Sequence, residues 1–116
     1  MTALRPGVPV DLAALAIETE PVPDDAVEAG APVHGAAALA EIGAVEVGVW
    51  EMTPGVATDT EADEVFVVLS GHARIEYLEP ALPAVEIGPG SLVWLEAGMR
   101  TRWTVTETLR KVYVAP

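Results

Sequence analysis

Glu64-Val65-Phe66-Val67-Val68-Leu69-Ser70-Gly71 is the stretch on which the fold is decided. Five successive apolar residues, mostly β-branched or aromatic and closed by Ser-Gly, read as a short strand. A strand with one face in water alternates apolar and polar side chains, and this one does not, so both of its faces are buried. Its outer face needs a cover, supplied by the N-terminal part of the chain or by a second subunit. The expectation is a homodimer.

Working outward, the chain from Gly35 onward breaks into short strands between turn residues. The predicted strands are Ala37–Glu41, Ala44–Met52, Glu64–Ser70, Ala73–Glu79, Val85–Ile87, Ser91–Leu95, Thr101–Thr106 and Leu109–Val114. Turns are predicted at Thr53-Pro54-Gly55, Ser70-Gly71, Leu82-Pro83, Gly88-Pro89-Gly90 and Glu96-Ala97-Gly98. Many short strands at this spacing indicate an all-β sandwich or barrel rather than a parallel α/β sheet. Residues 1–35 differ in character, with Pro6-Gly7, Pro21-Val22-Pro23-Asp24-Asp25 and Gly30-Ala31-Pro32 punctuating them too often for a long helix. Only Asp11, Leu12, Leu15 and Ala16 suggest a single helical turn. This segment is expected to be an irregular arm lying on the barrel or on a partner, with residues 36–116 forming the barrel; a disordered tail is the alternative.

The 116 residues are the size of one domain, and 51% hydrophobic content is enough for a core without metal or disulfide staples. Absence of cysteine removes disulfides, thiolate metal sites and cysteine nucleophiles together, and points to a reducing compartment. Six basic against eighteen acidic side chains give a net charge of -12, which repels nucleic acid and anionic lipid. No apolar run is long enough to span a bilayer. The stretch from Leu12 to Ile17 is interrupted upstream by Pro6, Pro9 and Asp11, so a signal peptide is not expected and the cytoplasm is.

Two glycine-framed segments carry a resemblance. Gly55-Val56-Ala57-Thr58-Asp59-Thr60-Glu61-Ala62-Asp63-Glu64, followed after six residues by Gly71, fits the second half of the first cupin motif. Gly90, five residues, then Glu96-Ala97-Gly98 fits the frame of the second, with Glu96 in the place of a proline. Gly48-Val49-Trp50-Glu51, Pro54-Gly55, Asp63-Glu64, Trp103 and Lys111-Val112-Tyr113 add the features of a narrower branch. The chain thus resembles the small cupins of unknown function similar to ethanolamine-utilisation and ureidoglycine-aminohydrolase proteins. The resemblance implies a double-stranded β-helix, a jelly-roll barrel with a pocket inside.

In metal-binding cupins three histidines and the motif glutamate hold a divalent ion. The histidine places fall here on Thr58, Thr60 and Thr101, beside the retained Glu64, and threonine hydroxyls are poor ligands for transition metals. Shifting the register puts Glu61 and Asp63 in two of those places but leaves no spacer before Glu64. His34 and His72 lie elsewhere and are read as a structural residue and an exposed turn residue. No metal and no other cofactor is expected.

Side chains two apart on a strand share a face. With Glu64 inward, Phe66 and Val68 follow, and a regular strand would also bring in Thr58, Thr60 and Ala62 while sending Asp59, Glu61 and Asp63 into water. Thr101 inward brings Trp103 and Val105, and Trp50 shares a side with Gly48 and Met52. Trp50, Thr58, Thr60, Phe66, Thr101 and Trp103 are therefore the candidate ligand contacts, with core filling as the alternative role for the tryptophans. A buried Glu64 needs a partner. Lys111, the only lysine, interrupts an apolar ending and is the best candidate, unless it faces solvent from an edge strand. Glu64 and Lys111 are the candidate catalytic groups; Tyr77 and Tyr113 are read as packing residues.

Three functions stay open: a module binding a small metabolite without metal, a metal-free isomerase or hydrolase using Glu64 as acid or base, and a metal-dependent enzyme with an atypical carboxylate site. The first is favoured because no nucleophile-plus-base set or complete ligand set can be assembled from this inventory.

Overall fold

The computed structural model describes residues 4–116, and among them the secondary structure is all β. Nine strands follow in chain order: β1 (Glu20–Pro21), β2 (Val27–Ala29), β3 (Val33–Ile42), β4 (Val45–Met52), β5 (Gly55–Thr60), β6 (Glu64–Glu79), β7 (Leu82–Ile87), β8 (Leu92–Leu95) and β9 (Arg100–Ala115). They form one antiparallel sheet that curls into a jelly-roll barrel.

Two 16-residue strands, β6 and β9, form its spine and pair along most of their lengths. The second half of β9 also pairs with β4 and its first half with β5. The first half of β6 pairs with β8 and its second half with β7. Each spine strand was expected as two. The sequence signal at Ser70-Gly71 is a bend and not a turn: the β6–β9 register slips between Val68 and Ala73, and Gly71 sits at φ +89°. A Cβ on Gly71 would lie 2.0 Å from the Thr108 carbonyl oxygen, so only glycine allows the strands this close. A bulge of this kind bends a strand and tightens its twist, which a curling sheet requires.

Other boundaries differ for similar reasons. Leu82 and Pro83 belong to β7, an edge strand on which the missing proline N–H leaves no central ladder broken. Gly55–Thr60, not among the predicted strands, forms β5, paired with β9 on one side and β2 on the other. Around Asp11 there is no helix. The side-chain oxygen of Asp11 accepts from the Ala13 N–H at 3.0 Å, and the chain turns and moves on.

The segment before β3 lies against the barrel. β1 pairs with β3 and β2 with β5. Leu12, Leu15 and Ile17 pack on Ala37, Leu39 and Val49, and Arg110 donates to the carbonyls of Leu12 and Leu15 at 2.7 and 2.8 Å. These contacts cover one end of the outer face. Across that face Val49, Val112, Val67 and Leu92 stand side by side, with Val47, Val114, Val65 and Trp94 in the next row. Leu92 and Trp94 remain 74% and 69% exposed, so the arm leaves the far end bare. The main core lies on the opposite, inner face and includes Phe66, Val68, Ile75, Leu95, Trp103 and Leu109.

Candidate functional site

A cavity of about 320 Å³ opens inside the barrel. Trp50, Met52, Ala57 and Trp103 supply its apolar wall, Asp59, Glu61, Glu64 and Lys111 its charge, and His34, Val22 and Pro23 part of its mouth. Apolar walls with a few converging polar groups are the usual make-up of a small-molecule site.

Glu64 begins β6 and turns inward as strand alternation requires, with Phe66 and Val68 behind it. Lys111 comes from the centre of β9, opposite Trp50 on β4 and Val68 on β6, and is 5% exposed. Its Nζ donates to Glu64 Oε2 at 2.5 Å. The same nitrogen lies 4.1 Å from the ring centroid of Phe66, 4.8 Å from that of Trp50 and 5.0 Å from that of Trp103. Aromatic faces attract a desolvated ammonium, so the three rings and the carboxylate together make burial of this lysine tolerable. Lys111 thus faces Glu64 and not solvent.

A second polar cluster adjoins the first. Thr101, fully buried on β9, donates to Glu61 Oε2 at 2.6 Å. The Trp103 indole N–H lies 3.0 Å from the same carboxylate oxygen and 3.0 Å from Thr101 Oγ1. Burial pushes the Glu61 carboxyl above the ordinary carboxylate range; the bonds from Thr101 and Trp103 oppose that, nearby Asp59 adds to it, and Lys111 opposes it more weakly.

Glu61 was expected to face water and lines the cavity instead; Asp59 is exposed, as expected, and also borders the cavity. The reason is local. β5 ends at Thr60, and Glu61-Ala62-Asp63 is a connection whose backbone is held by the loop before β9: the Glu61 N–H donates to the Met99 carbonyl and the Gly98 N–H to the Glu61 carbonyl. Alternation cannot be counted backwards from Glu64 through such a link. On β5 itself Ala57 and Asp59 stand opposite Trp103 and Thr101, which fixes them as the inward set. Thr60 and Ala62 are accordingly exposed and away from the cavity. Thr58 touches its edge, where its hydroxyl lies 3.4 Å from the Ala26 carbonyl oxygen. Asp63 faces outward and accepts from the Ala97 N–H at 2.9 Å.

Thr101 and Phe66 stand one layer behind the wall, bracing Glu61 and Lys111, while Trp50 and Trp103 line the cavity directly with their rings 5.8 Å apart. His34, read from sequence as structural, stands at the mouth. His72 is exposed on β6 and pairs with Glu107 at 2.8 Å. Tyr113 lies across Gly48, where a Cβ would meet its ring at 2.3 Å, and donates to Glu46 at 2.7 Å; burial and that contact hold its phenol protonated.

The residues present do not fit the metal that many cupins hold. Thr101 is committed to Glu61 and Glu64 to Lys111, and among the described residues no group of three or more His, Asp or Glu side chains is placed to ligate an ion.

A jelly-roll barrel with a cavity closing on a motif glutamate is cupin architecture. The chain belongs to the EutQ-like cupin domain family, whose model matches residues 39–113. Among solved structures, it is similar to a Salmonella typhimurium LT2 protein assigned as ethanolamine utilization protein Q, with 18% identity over 98% of this chain and 89% of that one and a TM-score of 0.68. A protein of unknown function from Acidithiobacillus ferrooxidans matches with 24% identity over 96% and 98% of the two chains and a TM-score of 0.61. A DUF861-family protein of unknown function from Pseudomonas syringae gives a TM-score of 0.72 at 20% identity, over 87% of this chain and 44% of that one. These likenesses define the fold. No curated protein matches the sequence. No helix among the described residues is long and apolar enough to cross a membrane.

Proposed function

We propose that this cupin is a binding module for a small cationic metabolite, an amine, taken up in the barrel without a transition metal. The observation that carries the reading is the charge of the cavity: among its described lining residues, Asp59, Glu61 and Glu64 stand against one lysine, Lys111, and no arginine, with His34 at the mouth. Lys111 is spent on Glu64, so Glu61 and Asp59 remain for a ligand's positive charge, beside the ring of Trp50. A chain of this composition is proposed to work in the cytoplasm.

Tryptophan fluorescence, read while primary amines, carboxylates and neutral sugars are titrated in, tests the class. Amines are expected to bind most tightly. Glu61→Gln should weaken them roughly 10-fold or more, the worth of a charge-assisted hydrogen bond. Because burial raises the Glu61 pKa, the carboxylate forms only above the usual range, and amine affinity should climb as pH rises through that raised value. Tighter binding of carboxylates than of amines would discard the reading.

A second reading, a metal-free isomerase or hydrolase, is favoured by the same raised pKa. The acid–base group would then be Glu61, since Glu64 is engaged by Lys111. Turnover of a bound amine, absent in Glu61→Gln, is its signature.

We also propose that the working form is a homodimer joined through the outer face. The uncovered rows of β6, β8 and β9 support this: Val65, Leu92, Trp94 and Val114 are exposed, adjacent and uncharged on a chain of net charge -12. A second copy of this chain meets the patch with the same apolar rows, whereas a strongly charged partner would not. Sedimentation velocity at micromolar concentration should show a dimer, and Trp94→Glu should weaken it about 100-fold, as loss of a tryptophan anchor does. A wild-type monomer at that concentration would refute the interface.

A further inference from the structure

We propose that the Lys111 ammonium is a resident cation standing where metal-dependent cupins hold their ion, so that this barrel is electrostatically complete without one. Glu64 is the residue that the first cupin motif reserves for the metal, by its spacing of six residues before Gly71. In this protein its carboxylate is bonded at 2.5 Å to an ammonium delivered by the chain itself.

Three features make that cation a fixture. Lys111 lies mid-strand on β9, flanked by β4 and β6, so its backbone is paired on both sides. Its side chain is 6% exposed, so the head is held away from bulk water. Phe66, Trp50 and Trp103 surround the nitrogen at 4.1 to 5.0 Å, so aromatic faces stand beside it where a metal would want imidazole or carboxylate ligands. A divalent ion approaching Glu64 would meet a like charge within a few ångströms, in a medium that screens poorly. It would also find the Thr101 hydroxyl oxygen already accepting from the Trp103 indole N–H at 3.0 Å.

The resident cation explains how this chain can carry the motif glutamate without the motif imidazoles. Of the threonines at those motif places on β5, Thr60 faces away from the cavity and Thr58 only touches its edge, while Glu64 lines it. An unpartnered buried carboxylate would be costly, and the lysine removes that cost. Glu64 is then a structural counter-ion. The inference holds whatever the cavity binds, because it concerns a charge the protein supplies to itself.

The experiment has two arms. Wild-type protein, stripped with chelator and dialysed against cobalt, manganese or nickel, is expected to retain no stoichiometric ion by elemental analysis. A stoichiometric ion that is lost in Glu64→Gln would overturn the proposal. In the second arm, Lys111→Ala should melt well below wild type, and ethylammonium should restore much of the loss by filling the vacated cage. The rescue must exceed any shift the same salt produces in wild type, which separates it from amine binding at Glu61. A Lys111→Ala protein that melts like wild type, or gains no more than wild type does from ethylammonium, would also overturn it. If the variant does not fold, refolding is carried out with ethylammonium present: recovery supports the resident cation and failure to recover refutes it.

Discussion

Lys111→Met is expected to lower stability by about 3 kcal/mol in urea denaturation, the lower end of the cost of breaking a buried ion pair. Methionine fills much of the same volume, so the loss is electrostatic and not a cavity effect. What remains is Glu64 without the ammonium that donated to it. The lower end is chosen because the Glu64 side chain keeps 21% of its exposure and water can reach one edge of it. The diagnostic is the double variant Lys111→Met with Glu64→Leu. Replacing both members of a buried pair by apolar groups is often close to neutral, so the double variant should regain most of the stability that the single one loses. A single variant as stable as wild type would mean that Lys111 samples solvent. A double variant as poor as the single would mean that β9 packing, and not charge, was disturbed.

The part of this site that could be read in advance follows strand physics closely. The inward set of β6 and of β9 was legible because both strands are long and regular where they meet the cavity, so Glu64, Phe66, Thr101 and Trp103 obey simple alternation. Lys111 was legible as the one cation in an apolar ending. The barrel followed from turn spacing and from the glycine frames. Two things were hidden. The continuity of β6 through Gly71 was hidden because a glycine beside a serine signals a turn, and only the close approach to the Thr108 carbonyl reveals a bend. Glu61 was hidden because the three-residue link before Glu64 resets the alternation, and that link is shaped by backbone bonds to Gly98 and Met99, about 37 residues further along the chain. Nothing local announces such a contact. The apolar outer face of Val65-Phe66-Val67-Val68-Leu69 was visible as a demand for cover, but not that the arm would meet the demand only over Ala37, Leu39 and Val49.

Trp103 is where the fold and the cavity depend on the same side chain, and two substitutions separate the roles. Trp103→Ala should cost about 3–5 kcal/mol, the range for truncating a large buried aromatic residue. It removes the ring that touches both Trp50 and Phe66 and one of the three faces around Lys111. Trp103→Phe should cost clearly less, since much of the volume survives, but it deletes the indole N–H that donates to Glu61. That bond favours the ionised carboxylate, so its loss should carry the Glu61 pKa further up. A raised carboxyl pKa means that the folded chain holds this proton more tightly than the unfolded chain does. Glu61's contribution is then fully present below its ordinary value of 4.5 and is lost as pH rises through the folded value. In Trp103→Phe the decline should therefore extend to higher pH and be larger in total, and onset of amine binding should move to higher pH as well. The slope should vanish in Glu61→Gln, whose amide oxygen can still accept from Thr101 and from the indole. If the Phe variant shows the wild-type pH profile, the indole donates nothing to Glu61 in solution. If the Ala variant loses less than about 1 kcal/mol, the ring is a lining of the cavity and not a part of the core.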